Sequence, residues 1–309
     1  MAQFSDSSYN TKLYASYRPE YPQSFYKILT EALEPKNIPV NRVIDLGCGT
    51  GVATYPLLEL GKEVIGLDLS QGMIDTANKL KQERLLKAGI SDASRITFIQ
   101  GRAEDFRDQP ESFDLITCAE CLHWFTDYES FFRETYKLLT PGGLLAYWYY
   151  IDPLIMDYTG SDKALEEENQ RIFSAAKAIY CKYVYDDPKY MGPHWEQPGR
   201  SIVQNGYREI DSKIPRELFT GTTVQAFEPA TAKSVPSSKD LVLEKTIGLN
   251  DFGDYLKTFS AYSAYKKATN DPDNVIELVL ELLERECGWD RSTTNIKILW
   301  KTGYTFLRK

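Results

Sequence analysis

Apolar residues along this chain fall into two rhythms. Between about residues 40 and 151, short apolar runs alternate with stretches whose apolar positions recur every three or four residues. Val43–Leu46 ends in a glycine cluster, Val64–Leu67 is closed by Asp68, and Ile96–Ile99 runs into Gly101. Phe113–Thr117 forms a fourth run and Leu144–Tyr150 a fifth, launched by the turn Pro141-Gly142-Gly143. Runs of this length bounded by Gly, Pro or Asp predict strands. Between them, Met73, Ile74, Ala77 and Leu80 recur at helical spacing behind Ser70, whose hydroxyl suits an N-cap, with Gly89 as the stop. Phe131, Phe132, Tyr136 and Leu139 repeat the pattern before Pro141. Strands alternating with helices need crossover connections, which are right-handed and make the strands parallel.

The helix expected after the glycine cluster carries a flaw, Pro56, which is tolerable only if the helix starts at or after Ala53. Beyond residue 151 the rhythm weakens. Residues 152–240 are rich in Pro, Tyr, Lys and Asp with few clean periods. Gly221–Phe227 predicts a strand, Asp251–Lys267 and Val275–Cys287 predict helices, and Asn295–Phe306 predicts a terminal strand. The expected fold is α/β: a doubly wound, mostly parallel, seven-stranded Rossmann-like sheet with an inserted cap region. Residues 1–151 would hold an N-terminal helical segment and the α/β core. Residues 152–309 would hold a recognition cap and the closing strands of the sheet.

Composition narrows the partners. Of 309 residues, 42% are hydrophobic and 26% charged, which is ordinary for a globular protein. The net charge of -8 comes with no basic stripe, so neither nucleic acid nor an anionic membrane is an expected partner. A small acid remains possible, because a pocket can be locally basic. The five cysteines are irregularly spaced, and Cys118 and Cys121 lack a second pair, so buried thiols and no metal site are expected. Met1–Asn10 has no apolar signal core, and no stretch approaches the ~20 apolar residues of a membrane span. A cytoplasmic monomer or weak dimer is the expectation.

The chemistry concentrates in Val43-Ile44-Asp45-Leu46-Gly47-Cys48-Gly49-Thr50-Gly51. Glycines at 47, 49 and 51 let the chain turn sharply and let a ligand approach the main chain. A dinucleotide site would need a glycine where Val52 stands, which sets aside a nicotinamide dehydrogenase. Asp45 would repel a phosphate and attract an ammonium. Asp68, after the second run, can accept both hydroxyls of a ribose. The expectation is a cationic nucleoside.

This block resembles the first motif of class I S-adenosylmethionine-dependent methyltransferases, and Asp68 matches the acid of the second. The resemblance implies S-adenosyl-L-methionine as cofactor, bound by Arg18, Asp45, Gly47, Gly49, Gly51, Asp68, Leu69 and Met73. It also implies Ala103 and Glu104 beside the adenine, and Ala119 and Glu120 along the methionine part. A narrower resemblance rests on Tyr14-x-x-x-Arg18-Pro19-x-Tyr21-Pro22, on Glu120-Cys121-x-His123-Trp124-Phe125, on Gly192-Pro193-His194-Trp195-Glu196-Gln197-Pro198-Gly199-Arg200, and on Phe259-Ser260-Ala261-Tyr262. These look like the fungal trans-aconitate 3-methyltransferases and, less closely, the fungal cantharidin methyltransferases, which lack the block ending at Arg200. The implied reaction is methyl ester formation on a carboxylate of a small polycarboxylic acid. Phenol or amine methylation, or a binding module on the same fold, are the alternatives.

A carboxylate with a reference pKa near ~4 is already ionised, so no general base is required. Alignment of nucleophile, methyl and sulfur can supply about 7–11 kcal/mol. The catalytic candidates His123, Trp124 and Arg200 are therefore positioning residues, Arg200 as a two-pronged carboxylate grip. Arg18 could serve the cofactor or the substrate. Tyr21, Tyr150, His194, Trp195, Arg200 and Tyr262 are the substrate-binding candidates.

Overall fold

The computed structural model describes residues 9–34, 39–160, 166–229 and 236–309. The polar stretch Met1–Asn10 lies outside them except for Tyr9 and Asn10. The elements in chain order are α1 (Thr11–Tyr17), α2 (Gln23–Leu33), β1 (Arg42–Leu46), β2 (Glu63–Asp68), α3 (Gln71–Lys87), β3 (Ile96–Gln100), β4 (Phe113–Ala119), α4 (Tyr128–Leu138) and β5 (Leu139–Thr159). There follow α5 (Glu166–Cys181), α6 (Gly199–Gln204), α7 (Arg208–Asp211), β6 (Gly221–Phe227), β7 (Glu244–Gly248), α8 (Leu249–Lys257), α9 (Ser260–Thr269), α10 (Val275–Cys287) and β8 (Asn295–Arg308).

One mixed sheet runs β3-β2-β1-β4-β5-β8-β6, parallel as far as β5 and antiparallel from β5 to β8. Strands β6 and β7 share the far side of β8, pairing with Thr302–Arg308 and Asn295–Leu299 respectively. Eight strands among the described residues thus fill seven positions, in keeping with the expected doubly wound fold. The division expected at residue 151 falls inside β5, which crosses it with bulges between Tyr150 and Pro153 and between Ile155 and Asp157.

Local chemistry explains the elements that were legible and those that were not. Ser70 caps α3 by accepting the Met73 amide at 3.3 Å, and Gly89 turns the chain out with φ +68°. The helix expected after the glycine cluster is only a short 3-10 stretch, Tyr55–Glu59, with Pro56 in its first turn. Pro56 brings no amide to continue an α-helix. Instead the Thr54 and Tyr55 amides both return to the Gly51 carbonyl at 3.1 Å. The single helix predicted over Asp251–Lys267 is two, α8 and α9, broken at Thr258 and Phe259. The Thr258 carbonyl is drawn off to the Tyr9 hydroxyl at 2.6 Å and to Arg18 Nη2 at 3.0 Å. Helix α5 lies in the stretch whose periodicity was too weak to predict it.

The order of the strands positions the site. Strand β1 has β2 on one side and β4 on the other, so the chain reverses its direction of travel there. Crossovers then leave to opposite faces and a crevice opens at the carboxyl ends of the strands. Helix α2 closes one face through Phe25, Tyr26, Ile28, Leu29 and Leu33. Phe25 is fully buried, with its ring 5.0 Å from Trp148 and 5.7 Å from Tyr304. None of the described helices is long and apolar enough to cross a membrane. Phe25→Ala is expected to cost about 3–5 kcal/mol of stability, through lost burial and the cavity left behind. Urea unfolding measures this, and a loss under about 1 kcal/mol would mean that α2 does not pack as described.

Candidate functional site

A cleft of about 620 Å³ opens where β1, β2 and β4 end. Its first wall is the glycine loop. The Gly47 and Cys48 amides bond the Leu67 carbonyl at 2.7 and 3.0 Å, and the Gly49 amide bonds Asp68 Oδ2 at 2.8 Å. All three glycines have positive φ: +72° at Gly47, +55° at Gly49 and +83° at Gly51. A side chain at Gly47 would meet Cys121 at 2.5 Å and one at Gly51 would meet the Tyr55 ring at 2.8 Å, whereas the space over Gly49 is open. Gly47 and Gly51 therefore serve packing, and Gly49 bares the backbone to the cleft. Gly47 and Gly49 line the cleft and Gly51 does not.

Asp68 accepts the Ser70 amide on its other oxygen at 2.8 Å. Burial raises its pKa, and the two amides counter part of that rise. Leu69, Met73, Ala103, Glu104, Ala119 and Glu120 continue the lining. Glu104 accepts the Thr126 amide and hydroxyl at 2.8 Å each and pairs with Arg102 at 2.8 Å. These bonds hold its carboxyl below the usual range against the effect of burial.

Asp45 is not in the cleft, which corrects the expectation of a direct pull on a cation. It is fully buried, taking the Thr54 hydroxyl at 2.6 Å on one oxygen and the Thr117 hydroxyl at 2.7 Å on the other. Burial pushes its pKa up to about 6, against those two bonds. Its work is to tie the end of the glycine loop to β4.

A smaller cavity of about 50 Å³ adjoins the cleft, and Asp152, Trp195, Arg200 and Tyr255 belong to it. Six residues line both spaces: Tyr14, Arg18, Glu120, His123, Trp124 and Tyr150. Arg18 donates to the Tyr150 hydroxyl at 3.1 Å and forms no ion pair among the described residues. Arg200 pairs with Asp152 at 2.7 Å. The same Asp152 oxygen also accepts the Tyr180 hydroxyl at 2.7 Å and the Tyr185 hydroxyl. Arg200 is thus a tethered fork rather than the free one expected.

His123 is buried, with Nδ1 2.7 Å from the Tyr207 hydroxyl. Burial, helped by Arg200 and Arg18, lowers its pKa to about 3, so it is neutral. Trp124 lies over Gly199, where an added Cβ would meet the ring at 2.9 Å. Tyr21 reaches the cleft. His194 and Tyr262 reach neither space: the His194 ring packs 5.6 Å from Tyr265, and the Tyr262 hydroxyl turns to Asp271 at 3.4 Å. Asp152, Tyr180, Tyr185 and Tyr207 were missed by sequence reasoning. No local motif marks them, because their partners lie 28 to 84 residues away. The buried Cys48, Cys118 and Cys121 are free thiols, and no group of possible metal ligands occurs among the described residues.

Comparison with known proteins bears on this geometry. A methyltransferase domain family matches residues 44–147. A probable S-adenosylmethionine-dependent methyltransferase of Saccharomyces cerevisiae is 28% identical over 308 residues, covering 98% of this chain and 97% of its own. A ubiquinone biosynthesis O-methyltransferase of Pseudomonas fluorescens is 31% identical over 110 residues, 36% of this chain and 44% of its own. A protein of Anaeromyxobacter dehalogenans, provisionally assigned as a type II methyltransferase, shares the fold with a TM-score of 0.61 at 20% identity, over 95% of this chain and 98% of that one.

The residues fit S-adenosyl-L-methionine. A bare glycine backbone faces the cleft at Gly49, and a carboxylate suited to ribose hydroxyls stands at the end of β2. Among the described residues, the buried Thr50 hydroxyl in the same loop lacks a partner, and Arg18 Nε is likewise buried and unbonded. The cleft volume lies within the range of cofactor sites. Asp68→Ala is expected to weaken S-adenosylhomocysteine about 10- to 100-fold, the value of one or two bonds to a charged group. Calorimetry reads this directly, and unchanged affinity would move the ribose away from Asp68.

Proposed function

We propose that the chain is a class I S-adenosylmethionine-dependent methyltransferase that esterifies a carboxylate of a small polycarboxylic acid, with trans-aconitate the first candidate. The observation that carries this reading is the pair of guanidinium groups, Arg18 and Arg200, around the junction of cleft and side cavity. A recessed cation with no ion pair among the described residues, as at Arg18, favours an anionic ligand. Two cations held apart suit an acid with more than one carboxylate.

Bound in the cleft, the cofactor supplies a methyl group already activated on a sulfonium. The rest is positioning by the chain. Arg200 is stacked 4.3 Å from the Trp195 ring centre and 5.2 Å from that of Tyr185, and Asp152 fixes one end of its fork. Arg18 sits 5.1 Å from the Tyr14 ring centre and 5.3 Å from that of Phe259. Such stacking removes the freedom to swing, so little entropy is lost when an acid docks. Each arginine keeps a buried Nε without a partner among the described residues. These N–H groups are the spare donors for acceptor oxygens.

The state of His123 removes one base that another acceptor would call on. A phenol or amine must give up a proton during transfer, and His123, with its pKa near 3 and its Nδ1 held by Tyr207, is a poor proton acceptor at neutral pH. An ionised carboxylate asks for none. Neutral His123 and the indole of Trp124 shape the junction and exclude water from it.

The test is transfer of label from S-adenosylmethionine to a panel holding trans-aconitate, a cantharidin-type diacid, a phenol and an amine. Label on the acids is expected. Label on the phenol or amine alone would end the carboxylate reading. Arg200→Ala is expected to raise the acid's KM about 10- to 100-fold, the worth of a charge-assisted pair, with S-adenosylhomocysteine affinity unaltered. An unmoved KM would remove Arg200 from the acceptor site.

A further inference from the structure

One carboxylate stands where an anionic acceptor would have to come. Glu120 has φ +52°, a left-handed conformation that aims its side chain away from the path of β4. Its amide stays bonded to the Trp148 carbonyl at 2.9 Å, and its Oε2 accepts the Tyr150 amide at 2.8 Å. A non-glycine residue in this region is strained and marks sites where side-chain direction matters. Glu120 lines both the cleft and the side cavity.

The charged groups facing Glu120 are Arg18 after α1, Arg200 on α6 and Asp152 on β5. Tyr14, Tyr21, Tyr149, Tyr150 and Tyr207 face it as neutral rings, all with hydroxyl pKa values raised by burial. Neighbouring His123 is neutral as well. Asp152 already balances Arg200. An ionised Glu120 would therefore cancel the charge of Arg18, and an acid arriving at the junction would meet a net neutral site with a carboxylate in it. A carboxyl in place of the carboxylate leaves Arg18 uncompensated and adds a hydrogen-bond donor.

We infer that Glu120 is protonated when the acceptor is bound and donates its O–H to a carboxylate oxygen of the acid, so that the acid binds with uptake of one proton from solvent. The proton shared between the two oxygens removes their repulsion, while Oε2 keeps its bond from the Tyr150 amide. This inference rests on the carboxylic acid reading. Burial, partly offset by the Tyr150 amide and the two arginines, has already raised the pKa of Glu120 to about 7. The free site is thus half loaded near neutrality. The bound anion raises that pKa further, so the acid favours the protonated form, and binding weakens as pH rises above about 7.

The experiment is calorimetry of trans-aconitate binding to the full chain with S-adenosylhomocysteine present, in buffers of different ionisation enthalpy. Proton uptake is expected to rise from about zero near pH 6 to about one per acid near pH 8.5, with affinity falling about tenfold per pH unit above pH 7. Glu120→Gln keeps an acceptor for the Tyr150 amide and a permanent donor for the acid. It is expected to bind without proton uptake and with a flat pH profile, and its Tm checks that it is folded. Wild-type binding without proton uptake would overturn the inference and leave the carboxylate reading standing. Uptake that persists in a folded Glu120→Gln would assign the proton to another group and overturn it equally. No acid binding at any pH would overturn both.

Discussion

The site depends on one topological constraint, the reversal of chain travel between β1 and β4. Because β2 and β4 flank β1 on opposite sides, the loops leaving these strands diverge and cannot cover the strand ends. Every element of the cleft is a consequence: the glycine loop after β1, Asp68 after β2, Glu120 after β4. The weakness of such a crevice is that its walls are loops. The protein stiffens them with buried side-chain bonds. Asp45 is the clearest case, bridging Thr54 at the end of the glycine loop and Thr117 on β4. The Cys121 thiol, bonded to the Leu46 carbonyl at 2.9 Å, ties the neighbouring loop to β1.

The segment before β1 and the cap supply what the crevice lacks, which is positive charge held still: Arg18 follows α1 and Arg200 lies on α6. An arginine in water samples many rotamers, and fixing it costs about 2 kcal/mol of side-chain entropy. Here aromatic rings meet that cost within the fold, before any ligand arrives. The chain's 21 tyrosines gain a meaning that composition alone did not give them: Tyr14, Tyr150, Tyr185 and Tyr255 pack against Arg18 or Arg200. The break between α8 and α9 belongs to the same device, because the carbonyl it frees at Thr258 anchors Arg18.

Legibility in the sequence followed the range of the forces involved. The α/β core could be read because its signals are local: apolar runs one strand long, a serine cap, glycines at three turns. Asp68 was legible for the same reason, since it closes an apolar run and its partners Ser70 and Gly49 stand 2 and 19 residues away. Asp45 showed the limit. Its spacing from the glycines was visible, but its direction was set by Thr117, 72 residues later, which packs it inward. Pro56 was rightly seen as a disturbance, and its effect was larger than expected, because a 3-10 stretch replaces the helix. His194 and Tyr262 shared a motif with true lining residues and yet face away, since neighbours in sequence on a turn or helix point in different directions. Of the Asp152–Tyr180–Tyr185–Arg200 cluster, only Arg200 had a local signature. Strand β5, helix α5, the turn that follows it and α6 meet there only after the cap has folded.

The position of β8 has a consequence for how the molecule comes into being. This strand lies between β5 on one side and β6 with β7 on the other, with pairs running from Asn295 to Arg308. All its partners are synthesised before it. A nascent chain emerging from the ribosome therefore presents the long apolar edge of β5 unpaired until β8 follows, an exposed template for wrong partners. The parallel half, with its loops already bonded to one another, can assemble early, whereas the cap with Arg200 must wait for a strand that arrives late. The glycine-loop side of the cleft and the side cavity around Arg200 are in this sense completed at different times in the life of each molecule.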